Sequence, residues 1–159
     1  MILIREFAFA SEHYRKALLL RKEVLRDPLG LKFSESDLAP DARDIHVGAF
    51  EDGELIGCLI LTQIATPLSI ATKPTTAPKA MKMRQVAVQP SQQGKGIGKK
   101  LALYCEEITA RIGAGEIILS ARETAIPFYL SLGYEIIGEP FIEVTLQHRK
   151  MRKAIQPRL

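Results

Sequence analysis

Val86-Ala87-Val88-Gln89-Pro90-Ser91-Gln92-Gln93-Gly94-Lys95-Gly96-Ile97-Gly98-Lys99-Lys100-Leu101 passes from an apolar, β-branched run through a proline into a polar loop, then into a helix-forming sequence. The loop carries three glycines at alternate positions. That order predicts a strand, a loop whose backbone approaches a ligand closely, and a helix whose first N–H groups lack intrahelical partners. Such a helix start attracts phosphate, and Lys95, Lys99 and Lys100 add positive charge beside it. A phosphorylated cofactor is therefore expected here. A P-loop would need a glycine in place of Gln93 and a Ser or Thr in place of Lys100. A dinucleotide fingerprint would need its third glycine at Lys99 or at Leu101. Neither pattern fits, and a plain strand-to-helix turn with solvated lysines is the remaining alternative for the stretch taken alone.

What does fit is Gln93-x-x-Gly96-x-Gly98 after a strand ending Val86-Ala87-Val88-x-Pro90, which resembles the acetyl-CoA signature of the GNAT superfamily of N-acetyltransferases. Ala125-Ile126-Pro127-Phe128-Tyr129-Leu130-Ser131-Leu132-Gly133-Tyr134 resembles the second signature of that superfamily. It lies far enough beyond Gly98 for a helix and one strand between. Glu143-x-x-Leu146-x-His148-x-x-Met151 is similar to the end of the ElaA-type branch, and Leu20-Arg21-x-x-Val24-Leu25 with His46 is similar to its start.

The resemblance implies an α/β fold with a mixed central sheet flanked by helices, in which two splayed strands hold acetyl-CoA. Val86, Ala87 and Val88 would bond the pantetheine arm through their backbone, with an N–H near Val86 facing the thioester oxygen. Gln93, Gly94, Lys95, Gly96, Ile97, Gly98 and Lys99 would cradle the pyrophosphate. Tyr129 falls on the position whose hydroxyl protonates the departing thiolate, a task suited to a phenol of pKa about 10. Without that resemblance, Phe128, Tyr129 and Leu132 read as packed core of a short helix. Some members carry a glutamate base on the strand before the glycine loop. That place falls on Lys82 here, and Met81–Val88 holds no carboxylate. The candidates for a base are then Glu143, His148, Glu23 and His46, against the plain alternative of ordinary residues on an exposed strand. Histidine is the side chain that ordinarily titrates near neutral pH, and desolvation of the amine would share a base's work. Alternation places Arg84 or Gln85 toward the acceptor, where Arg84 would pair a carboxylate. Arg122 stands where many members have an asparagine, and a surface salt bridge is the simpler account of it.

Working outward, Ile2–Phe7 reads as a strand, and Ser11 caps a helix reaching Leu25 with Tyr14, Ala17 or Leu18, Arg21 and Leu25 at helical spacing. Residues 31–44 read as a loop with a short helical turn. Ile45–Phe50 and Leu55–Ile64 read as strands joined by a hairpin at Asp52-Gly53. Residues 66–79, rich in threonine and proline, read as a loop. Met81–Val88 is a strand, and Ile97, Leu101, Cys105, Ile108 and Ile112 form one helical stripe stopped by Gly113. Ile117–Leu119 follows as a buried strand, parallel to its predecessor across the helix. Glu123–Leu132 reads as a helix ended by Gly133. Tyr134–Ile137 and Phe141–Leu146 then read as a hairpin turning at Gly138-Glu139-Pro140.

The 159 residues suit one domain, with apolar and charged contents ordinary for a globular protein. No apolar run is long enough to span a bilayer, and no signal-peptide layout opens the chain. Cys58 and Cys105 sit inside apolar segments and read as small core residues, not as a metal or disulfide framework. A cytoplasmic setting is expected. The net charge of +4 draws partly on Arg149, Lys150, Arg152, Lys153 and Arg158. No nucleic-acid motif accompanies them, so they read as a solvated strand end and frayed tail, and neither nucleic acid nor membrane is an expected partner. The expected partners are acetyl-CoA and an amine on a small molecule or peptide, met in a ternary complex. A strand edge near the C-terminus leaves a homodimer open. The rival reading is a non-catalytic acyl-CoA-binding module, which the missing strand glutamate favours and Tyr129 disfavours.

Overall fold

The computed structural model describes residues 1–64 and 80–158, so the segment 66–79 read as a loop lies outside the described residues. In chain order the elements are β1 (Ile2–Phe7), α1 (Glu12–Leu25), α2 (Glu35–Leu38), β2 (Ile45–Glu51), β3 (Glu54–Ile64), β4 (Ala80–Val88), α3 (Ile97–Ile112), β5 (Glu116–Arg122), α4 (Ile126–Ser131), β6 (Glu135–Glu143) and β7 (Leu146–Ala154). The strands form one mixed sheet in the order β1-β2-β3-β4-β5-β7-β6. Pairing is antiparallel at β1–β2, β2–β3, β5–β7 and β6–β7, and parallel at β4–β5. The mixed, helix-flanked sheet is the one expected. The chain divides into two compact units, Met1–Thr62 with Met83–Cys105 and Gln63–Lys82 with Glu106–Leu159, so β4 and α3 each run through both.

In the first unit Ser11 begins α1, its Oγ accepting the Tyr14 N–H at 3.1 Å. Asp52 and Gly53 turn the β2–β3 hairpin with φ of 51° and 80°, the left-handed pair that a two-residue turn needs. Ala17 and Leu20 of α1 pack with Cys58 of β3 and Ala87 of β4, and Phe7, Val24, Leu25 and Leu55 close the margin. Strand alternation sends Gly57 to the opposite face from Cys58. A Cβ at Gly57 would lie 3.1 Å from Ile97 Cγ2 and 3.2 Å from Leu101 Cδ1. The missing side chain therefore lets the start of α3 lie directly against β3. Within this unit α1 covers one face and α3 the other.

In the second unit β4 contributes Ala80–Lys82, paired with Glu116–Ile118, and β7 pairs with the whole of β5. Gly133, at φ 94°, ends the segment after α4, where Leu132 and Tyr134 both donate their N–H to the Tyr129 carbonyl. Two expectations are overturned here. Gly138-Glu139-Pro140 is not the hairpin turn: β6 continues through it as an irregularity between Ile137 and Phe141, with Arg149 Nη2 donating to the Gly138 carbonyl at 2.8 Å. The chain reverses at Val144-Thr145, whose φ values are 44° and 67°. Both are β-branched and disfavoured in that region, so the sequence carried no turn signal there.

The basic residues near the C-terminus are not a frayed tail either. Met151 is fully buried, and β7 lies between β5 and β6. Arg152 binds Glu116 at 2.8 Å and Glu135 at 2.7 Å, and Lys153 binds Glu106 at 2.8 Å and the Leu132 carbonyl at 2.7 Å. Arg158 donates to Glu107 at 2.9 Å. These cations are spent on the fold.

The turn at Val144-Thr145 carries removable strain. Replacing the pair by Asn-Gly, the preferred residues of such a turn, is expected to raise unfolding stability by about 1 kcal/mol. Urea denaturation of the two proteins checks it, with unchanged or lower stability as the contrary result.

Candidate active site

The strand, glycine loop and helix start predicted from sequence are contiguous in the first unit. Gln89 ends the strand by donating its N–H to the Ile56 carbonyl at 2.8 Å. A short 3₁₀ turn, Pro90–Gln92, follows, with its proline at the start where no N–H is needed. Gln93 folds back, its Nε2 donating to the Val88 carbonyl at 3.0 Å, which closes the loop onto the strand it left. Gly94 and Gly96 both have φ of 81°, and a Cβ at either would meet none of the described residues within 4 Å. Glycine is favoured there by backbone conformation, and no crowding by the described residues demands it. Lys100 N–H bonds the Gly96 carbonyl at 3.1 Å as the first bond of α3. Helix geometry then leaves the preceding N–H groups, Ile97 to Lys99, at its mouth. Lys95 is exposed, with Nζ 3.3 Å from Gln92 Oε1. An open, left-handed backbone cradle at the positive end of a sixteen-residue helix fits a diphosphate.

β4 itself is bent just before Val86. Gln85 has φ of 57°, a left-handed residue inside a strand. Such a residue turns the adjoining peptide planes out of the regular ladder, as in a bulge. Arg84, immediately before it, does not wait for a substrate carboxylate as expected. Its Nη2 binds Asp41 Oδ1 at 3.1 Å and Asp44 Oδ2 at 2.5 Å, and its Nε donates to Thr62 Oγ1 at 3.0 Å.

Asp41 is the residue that sequence reasoning missed. Fully buried, its Oδ2 accepts from Tyr14 Oη at 2.7 Å and from Arg21 Nη1 at 2.8 Å. Burial raises the carboxyl pKa, but the hydrogen bonds from Arg21 and Tyr14 and the charges of Arg21 and Arg84 outweigh it, leaving the group below the ordinary aspartate value. The Tyr14 phenol is pushed up to about 12, by burial first and then by its bond to the Asp41 carboxylate. One signal was available: Arg21 shares the apolar face of α1 with Tyr14 and Ala17, and an arginine there demands a buried carboxylate. His46, a candidate base, is committed to this cluster. Its Nε2 lies 2.8 Å from the Asp41 carbonyl and its ring packs against Phe7 and Tyr14. Glu23 is exposed on α1.

Tyr129, Glu143 and His148 belong to the second unit. Tyr129 is buried on α4, its ring edge-on to Phe128 at 5.0 Å and to Tyr134 at 5.7 Å. His148 is only 3 % exposed, which removes the exposed-strand alternative for it, while the Glu143 side chain is half exposed. His148 Nδ1 lies 2.8 Å from the Leu146 carbonyl. A carbonyl only accepts, so Nδ1 carries the hydrogen and a neutral ring keeps its lone pair on Nε2. That nitrogen is 3.8 Å from Glu143 Oε2. Phe141 stacks on the ring at 5.9 Å between centroids, and Arg122 is the register partner of His148 across β5 and β7. The Arg122 side chain is partly buried, and burial lowers its pKa.

The family model described as "Acetyltransferase (GNAT) family" matches residues 8–134. The chain is 32% identical over 73 residues to the uncharacterized N-acetyltransferase YjcF of Bacillus subtilis, a match covering 45% of this chain and 52% of that protein. It spans between 23% and 60% of the length of four of the curated relatives it matches. Among solved structures, the fold is similar to an aminoglycoside 6'-N-acetyltransferase complexed with coenzyme A, with TM-score 0.73, 21% identity and 99% of each chain covered. It is also similar to Escherichia coli ElaA, with TM-score 0.71, 21% identity, and 96% and 99% of the two chains covered. No helix among the described residues is long and apolar enough to cross a membrane.

The raised Tyr14 pKa fixes the sign of a pH effect. Folded protein holds that proton more tightly than unfolded, so the stability from Tyr14 is full below pH 10 and is lost as pH rises toward about 12. Urea unfolding of wild type and Tyr14→Phe between pH 8 and pH 11.5 is expected to show the wild-type advantage shrinking above about pH 10. An advantage constant across that range contradicts the assignment.

Proposed function

This chain belongs to the acetyltransferase (GNAT) family, and we propose that it transfers the acetyl group of acetyl-CoA to a primary amine of a small molecule or peptide, by direct attack in a ternary complex. The observation that carries the reading is the loop after β4: Gly94 and Gly96 in left-handed backbone, open on one side, feeding the N-terminus of α3. In this reading the loop and the first turn of α3 hold the diphosphate, and Lys95 and Lys99 add charge beside it. The edge of β4 beyond Lys82 takes the pantetheine arm as a substitute strand. Supporting this, β4 pairs with β5 through Ala80–Lys82.

The reaction forms one C–N bond and breaks one C–S bond. The ammonium must first lose a proton, and His148 is the proposed acceptor through Nε2, the ring nitrogen opposite the one bonded to Leu146 O. Glu143, at 3.8 Å, stabilises the imidazolium that results. The neutral amine attacks the thioester carbon, and charge on the carbonyl oxygen is met by the backbone N–H of Val86, next to the left-handed Gln85. Collapse expels the thiolate, which takes a proton from the Tyr129 hydroxyl. The attacking nitrogen gives up its second proton, which returns to the phenolate through solvent and leaves the neutral amide, and the imidazolium releases its proton to solvent. The burial of Cys58 and Cys105 supports a reducing, cytoplasmic setting for the enzyme.

Titration calorimetry with coenzyme A and turnover of acetyl-CoA against a panel of amines test the reading. Gly96→Ala, which forces a Cβ onto a φ of 81°, is expected to weaken coenzyme A binding about tenfold, corresponding to about 1.4 kcal/mol. Tyr129→Phe is expected to lower kcat about tenfold to a hundredfold while the KM for acetyl-CoA stays within about threefold. Heat on binding with no turnover for any amine would leave an acyl-CoA-binding module, and no heat at all removes the reading.

A further inference from the structure

We propose that Asp41 is a positioning residue for the acetyl-transfer site, holding the bend of β4 at Gln85 by clamping the Arg84 guanidinium. The inference rests on the proposed transferase activity for its kinetic consequence, but its structural content stands on the first unit alone.

Four observations lead to it. Gln85 is a non-glycine residue at φ of 57° inside a strand, and such conformations persist only where the surroundings over-determine them. The Gln85 Oε1 is buried and finds no hydrogen-bond partner among the described residues. The constraint sits one residue earlier. Arg84 is held by Asp41, Asp44 and Thr62, which places its planar fork against two carboxylates and a hydroxyl from two separate stretches of chain. Asp41 in turn is locked by Tyr14 and Arg21 of α1, and by the His46 contact to its own carbonyl.

Stability is a poor explanation for so much buried charge. Replacing a buried ion pair with apolar groups is commonly neutral or favourable, because desolvation offsets the attraction. What a rigid guanidinium fork does supply is direction. With Arg84 held through Nη2 by two carboxylates and through Nε by Thr62, the following peptide is held in one orientation, and the Val86 N–H is aimed before any ligand arrives. A donor preorganised in this way needs no rearrangement as charge develops on the thioester oxygen.

The test uses the full chain with three variants. Asp41→Asn loosens the clamp at its source, Arg84→Gln removes the strand arm, and Tyr14→Phe removes one donor from Asp41 without touching β4. Amide hydrogen exchange at residues 85–87, measured without cofactor, is expected to rise at least tenfold in Asp41→Asn and to stay within about threefold of wild type in Tyr14→Phe. Arg84→Gln is expected to lower kcat at least tenfold with the KM for acetyl-CoA within about threefold, and Arg84→Lys to recover part of the loss. If Asp41→Asn does not fold, the exchange comparison is made with Arg84→Gln at residues 86 and 87. Exchange at these residues unchanged in the variant examined, or kcat and KM impaired in parallel, overturns the proposal. A wild-type protein that turns over no amine overturns the transferase reading instead, and leaves the exchange result to decide the clamp.

Discussion

A carboxylate with no exposed surface must be neutralised where it stands, and four segments of the first unit are arranged around that requirement at Asp41. α1 delivers Tyr14 and Arg21, β4 delivers Arg84, and β3 contributes Thr62 as a second anchor for Arg84. With Asp44, two carboxylates face two guanidiniums. Arg21 Nε and Nη2 find no hydrogen-bond partners among the described residues, and its guanidinium lies 5.1 Å over the Phe33 ring, which stabilises the cation from its face. The cluster therefore ties a helix, two strands and the irregular segment at 39–44 into one geometry. Its consequence for the fold is the orientation of β4 at the point where the strand departs from regular form.

Elements governed by local chemistry were legible in the sequence. The Asp52-Gly53 hairpin, the Ser11 cap, the stripe of α3 and the strand–loop–helix at 86–101 all appear where the residues put them. What was illegible falls into two kinds. Val144 and Thr145 adopt left-handed backbone that their side chains disfavour, because the pairing of β6 with β7 decides where the chain reverses. Gly138 and Pro140, which look like a turn, are absorbed as an irregularity within β6. The second kind is long-range charge. Asp41 sits in a stretch that reads as polar loop, and only three-dimensional packing turns it into a buried acceptor for residues 20, 27 and 43 positions away along the chain.

The same distinction divides the candidate site. Cofactor binding is a backbone task, and backbone conformation leaves a clear mark as glycine at Gly94 and Gly96. Proton movement is a side-chain task, and its residues acquire meaning only from their neighbours. His148 is a site candidate because Leu146 O fixes its tautomer and Glu143 faces the other nitrogen, neither of which its place in the sequence reveals. Arg84 lost its expected role for the converse reason. A guanidinium already bound to two carboxylates has little charge left to attract a third.

The acidic member of the candidate site, Glu143, has a half-exposed side chain and meets His148 at 3.8 Å, a distance that is an ion pair only when the ring is protonated. With the ring neutral, the Glu143 carboxylate has no cationic partner among the described residues, which favours a cationic approach to His148 Nε2. In the proposed reaction an ammonium meets attraction from Glu143 and a lone pair on His148, and its proton transfer creates an imidazolium beside that carboxylate. In the proposed reaction the pair thus favours the charged amine before proton transfer and the charged imidazole after it.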